Sequence, residues 1–169
     1  MPPPAHHKEV ARYLRDVMPG ETQVIVYGDN ADKCPIPIGR FAAPKSPFYS
    51  TIGAFDTPKG IPAGDYEFAA CGTQEWLPNA IASSVYWLKG RQIEEWPLVC
   101  EDAVRHNTRS PYRHMAYIPS PFKLALSTGQ LVQWLLGVPI EDKEICLTFD
   151  DVTENVMRQY PEWLLHENA

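Results

Sequence analysis

The chain has 169 residues, with 21 Asp and Glu against 15 Lys and Arg, for a net charge of −6. That length suits one domain with a real core, and an acidic balance without a basic tract argues against nucleic-acid binding, which needs clustered Lys and Arg. The charge is uneven: residues 141–169 hold eight acids and two bases, whereas residues 1–140 hold 13 of each sign.

No apolar run approaches the ~18–20 residues of a membrane span. The start, Met1-Pro-Pro-Pro-Ala-His-His7, lacks the charged-then-apolar pattern of a signal peptide. A cytoplasmic protein without membrane contact is therefore expected. Cys34, Cys71, Cys100 and Cys146 lie too far apart for a zinc knuckle or a redox pair. They are expected to be reduced and mostly buried.

In chain order, residues 1–7 read as a flexible start. Val10, Tyr13, Leu14 and Val17 then mark one face of an amphipathic helix that Pro19-Gly20 ends. Residues 22–27 are β-branched or aromatic and predict a strand, turned at Gly28-Asp29-Asn30. The prolines of Cys34-Pro-Ile-Pro-Ile38 predict an edge strand or an extended loop. Strands are expected at 48–54 and 65–71, the second with Asp65 and Glu67 alternating outward against Tyr66, Phe68 and Ala70.

Pro78 to Lys89 predicts a helix, with Pro78 in its first turn, Gly90 at its end, and a stripe of Ile81, Val85 and Leu88. Residues 103–140 contain no acid, and Arg105, Arg109, Arg113 and Lys123 fall in the first part of that stretch. Within it, Met115–Ile118 predicts a short strand ended by Pro119, and Leu131–Ile140 a buried central strand. Two short helices are expected at 141–149 and 151–159, the second capped by Asp150 or Asp151. Strands and helices do not alternate regularly, so the fold class is α+β.

Phosphate-binding glycine loops are absent from the sequence. His6-His7 supplies only two neighbouring ligands, short of a metal site. Neighbouring Glu94 and Glu95 tend to point apart, which is unsuited to paired acid–base work. Asp150, Asp151 and Glu154 place three carboxylates in five residues, but acids in a first helical turn ordinarily complement the helix dipole. Neither a metal nor a cofactor is expected. One catalytic alternative stands: Cys71 as nucleophile with His106 or His114 as base, in a small hydrolase or transferase. Trp87 and Trp134 lie inside apolar elements and read as core, while Trp76, Trp96 and Trp163 lie beside charges and prolines.

Five linked pieces stand in order: Tyr49-Ser-Thr-Ile-Gly53, Tyr66-Glu-Phe-Ala-Ala-Cys71, the run from Trp76 to Leu88, Met115-Ala-Tyr-Ile-Pro-Ser-Pro121, and Val138-Pro-Ile-Glu-Asp-Lys-Glu144. Together they resemble the bacterial branch of the suppressor-of-fused family, over about residues 22–155. The resemblance implies an α+β domain, a mixed sheet packed by helices, spanning residues 1–169. It also implies a non-catalytic role. Eukaryotic members of the family restrain a transcription factor through a short peptide segment, and that partner is not carried over to this chain. Bacterial relatives look like immunity proteins beside polymorphic toxins. The leading expectation is a protein-binding domain whose partner is another protein, such as a toxin domain. Asp150, Asp151 and Glu154 are its candidate contacts, since an acidic face steers toward a basic partner.

Overall fold

The computed structural model describes residues 2–18, 20–28, 35–56, 65–107 and 109–168. Helix α1 spans Ala5–Val17, so the expected loose start is helical from Ala5 onward. The strands are β1 (Gln23–Tyr27), β2 (Ile36–Phe41), β3 (Phe48–Thr51), β4 (Tyr66–Cys71), β5 (Leu98–Cys100), β6 (Tyr112–Ala125) and β7 (Leu131–Glu141). Helix α2 covers Leu77–Leu88 and α3 covers Phe149–Gln159, and single 3-10 turns lie at Ala54–Asp56, Asp142–Glu144 and Glu162–Leu164. The class is α+β.

The strands form one mixed sheet in the order β1-β2-β3-β4-β7-β6-β5. Among the described residues β4 and β7 pair in parallel and the other neighbours are antiparallel. Alternation along β4 divides the core in two. Phe68 and Ala70 join one apolar cluster with Leu77, Ile81, Val85 and Leu88 of α2. Ala69 and Cys71 join the other, with Val10 and Leu14 of α1 and Val152 and Val156 of α3. The sheet therefore lies between α2 on one face and α1 and α3 on the other. No described helix is long and apolar enough to cross a membrane.

Several sequence expectations change. The proline-bearing segment before Phe41 is not at the edge, because β1 pairs outside it, with Val26 opposite Pro37. The Pro37 carbonyl accepts from the Ile52 N–H at 2.9 Å. An antiparallel residue aims its N–H and C=O to the same side. The donor that Pro37 lacks would thus face the end of the β3 ladder, just past Thr51, where little is lost. Pro119 does not end a strand either: β6 runs on to Ala125 through an irregularity between Pro119 and Lys123. Glu141 to Phe149 holds a single 3-10 turn rather than a helix, and Thr148, not Asp150 or Asp151, caps α3. Leu131–Glu141 is an interior strand, as its apolar run implies. Strand β5 went unforeseen, since only three residues among charges carry it.

Candidate functional site

Strand β1 closes one end of the sheet, and no strand pairs with its outer side among the described residues. Its sequence Gln-Val-Ile-Val-Tyr is uncharged and β-branched, which favours an extended backbone. Val24, Ile25 and Val26 are 55%, 40% and 60% exposed, so apolar side chains meet solvent on both faces of this strand. Native edges are normally blunted by charge, proline or cover. Among the described residues, the backbone donors and acceptors on its outer side pair with no strand and lie between apolar side chains. Nothing in an alternating pattern distinguishes an edge from an interior strand, so the sequence alone did not single out β1.

Asp150, Asp151 and Glu154 all lie exposed on α3. Their roles differ. The Thr148 side chain accepts from the Asp151 N–H, and the Asp151 carboxylate accepts from the Thr148 N–H at 2.9 Å and its hydroxyl at 2.8 Å. That reciprocal box holds the helix start and keeps the Asp151 carboxyl below its ordinary range. Glu154 pairs with Arg158 one turn on, at 3.5 Å. Among the described residues no bond is seen to Asp150, and exposed Phe149 and Met157 lie on the same helix.

Cys71 and the two histidines are not drawn into a catalytic pair. Cys71 is buried on β4, and burial holds its thiol strongly protonated. His114 is buried on β6, where Nδ1 accepts from the Asp102 N–H at 2.9 Å and Nε2 faces Asp142 Oδ1 at 2.9 Å. Both ring nitrogens are therefore engaged by Asp102 and Asp142 rather than by a thiol. His106 borders an open cleft of about 540 Å³ with Tyr27, Asn79, Tyr86 and Trp87. Cys71 borders a different one, of about 420 Å³, beside Lys45, Gln74 and Arg158. Cys100 is buried and free, with its thiol pushed up to about 12, whereas Cys146 is exposed and free. Cys34 lies outside the described residues. Glu94 and Glu95 are exposed.

The fold also builds a cluster that sequence spacing did not reveal. His6 and His7, on the first turn of α1, meet Asp56 of the 3-10 turn after β3. His6 Nε2 lies 2.6 Å and His7 Nε2 3.1 Å from the same oxygen, Asp56 Oδ2. Phe55 packs against both imidazoles, each centroid 5.7 Å away. Burial lowers the His7 pKa, and the His6 hydrogen bond holds the Asp56 carboxyl below its ordinary range.

Behind this turn stands Glu67, fully buried where the alternation had placed it outward. Its carboxyl accepts from the Gly53 N–H at 2.7 Å, the Ala54 N–H at 3.4 Å and the Thr51 hydroxyl. Burial pushes its pKa up to about 8, against the pull of those donors. Glu67 therefore anchors to the sheet the turn that carries Asp56. Contacts spanning 49 and 50 residues have no local sequence signal. Comparison with protein-family models, with characterised proteins and with solved structures finds no match to this chain.

Proposed function

We propose that this chain is a non-catalytic protein-binding domain of the suppressor-of-fused type, acting as an immunity protein that neutralises a toxin domain by binding it. The observation that carries the reading is the open apolar edge of β1, with Val24, Ile25 and Val26 exposed. An edge of this kind accepts an extended segment of a partner as an added strand. Main-chain hydrogen bonds then supply affinity and the alternating side chains supply selection. The resemblance to a family whose eukaryotic members bind a short peptide segment agrees with that mode. The catalytic alternative loses support from the buried, protonated Cys71 thiol and from the occupied nitrogens of His114.

The test uses the product of the adjacent reading frame as the partner. Binding is measured for the native chain and for the Val24→Lys, Val26→Lys double variant. Both side chains are more than half exposed, so the variant is expected to keep its fold, within about 0.5 kcal/mol of the native stability. Binding is expected to weaken at least tenfold. Unchanged affinity would remove β1 from the interface, and no binding by the native chain would end the immunity reading.

A further inference from the structure

We propose that His6, His7 and Asp56 form a binding site for one divalent transition-metal ion, best suited to Zn²⁺, which clips the start of α1 to the turn after β3. Two imidazoles and one carboxylate are a donor set that zinc, nickel, cobalt and ferrous iron accept, and three protein ligands leave a coordination position for water. All three ligand atoms lie within 4.8 Å of one another. A tetrahedral ion with bonds of ~2.0–2.1 Å spaces its ligands roughly 3.3 Å apart. The observed 2.6 Å and 3.1 Å need only a small opening to reach that spacing.

The ligands are held by supports that do not depend on an ion. Val10 and Leu14, both fully buried, fix α1 on the sheet. The His7 ring lies against Gly53, where an added Cβ would come within 2.3 Å of it, and Gly53 also has a φ of +96°. A side chain at that position would therefore displace the ring. The Asp56 N–H donates to the Gly53 carbonyl at 3.1 Å, and Gly53 donates to buried Glu67. Side-chain exposures of 27% for His6 and 47% for Asp56 leave a way in for the ion and its water.

Proton balance sets the pH dependence. Where both imidazoles donate to the carboxylate, each carries a proton on Nε2. The ion takes the lone pairs at those nitrogens, so a neutral ring moves its proton from Nε2 to Nδ1, and a cationic ring releases its Nε2 proton to water and keeps the one on Nδ1. Low pH protonates the rings fully and opposes binding.

The experiment uses the full chain without an affinity tag, stripped of metal by a chelator, with Cys146→Ser to remove its exposed thiol and Cys34→Ser because that residue lies outside the described ones. Zn²⁺ is titrated by calorimetry, and Co²⁺ serves as the optical probe. One ion per chain is expected, with visible Co²⁺ bands free of thiolate charge transfer and a raised Tm. His6→Gln and Asp56→Asn keep polar groups in place and are expected to keep the far-ultraviolet dichroism of the parent. Each should weaken binding at least tenfold and remove the Tm rise. No uptake by the parent would overturn the site. So would uptake that both variants leave unchanged, which would make the cluster a hydrogen-bonded clasp alone.

Discussion

Glu67 shows how one residue escapes a periodic reading. Alternation along β4 sends it to the side opposite Phe68, which was expected to be solvent. That side is instead covered by α1 and the 54–56 turn, so the carboxyl is buried among donors from Thr51, Gly53 and Ala54. The folded pKa of about 8 stands above the ordinary 4.5 of a free glutamate. Below pH 4.5 the group is protonated in both states and opposes folding least. Between 4.5 and 8 the folded state holds a proton that the unfolded state has released, so stability falls as pH rises through that window. Urea denaturation of the native chain is expected to show this decline between pH 5 and pH 8. Glu67→Gln should flatten it, and equal slopes for the two proteins would contradict the assignment.

At the scale of elements, the sheet depends on close approaches that side-chain type alone does not announce. Gly137, in the middle of β7, lies directly across from Tyr117 of β6. The Tyr117 ring covers it so closely that a Cβ there would sit 2.4 Å from a ring carbon. The ring has little freedom to retreat, because it is fully buried, packs edge-on against Phe68, and donates its hydroxyl to Ser84 of α2 at 2.9 Å. Gly137→Ala is therefore expected to destabilise by roughly 1–3 kcal/mol, the usual penalty of overpacking a rigid core. A shift in the urea midpoint at constant m-value checks it. The helices were more legible. The stripe of Ile81, Val85 and Leu88 and the terminating Gly90 found α2 within one residue at each end. The cap of α3 was misplaced because Asp150, Asp151 and Thr148 all suit an N-cap by type.

At the scale of the molecule, the charge asymmetry acquires a structural cause. Most of the acid-free stretch from 103 to 140 is the strand pair β6 and β7, whose central residues are buried on both faces. Buried strand positions exclude charge. The C-terminal acids are displaced to α3 and its flanks, where they are largely exposed. If that surface steers a basic partner, Asp150→Lys with Glu154→Lys should slow association several-fold at low ionic strength, and high salt should erase the difference. Stopped-flow association rates measure it, and an unchanged rate would assign the acids to solvation. Asp151 is left in place because its substitution would also loosen the helix start.

Local chemistry determined much of the protein in advance. The α+β class, α1, α2, the interior strand β7 and the acidic segment all follow from periodicity, turn residues and composition, which act over a few residues. Tertiary structure decided which strand lies at the edge, because pairing partners are chosen across the whole sheet. It moved the proline strand inward, carried β6 past Pro119, buried Glu67, and separated Cys71 from His114. It also brought His6 and His7 to Asp56. Each of these depends on contacts between segments far apart in the chain, and those contacts exist only once the sheet and its covering helices are assembled.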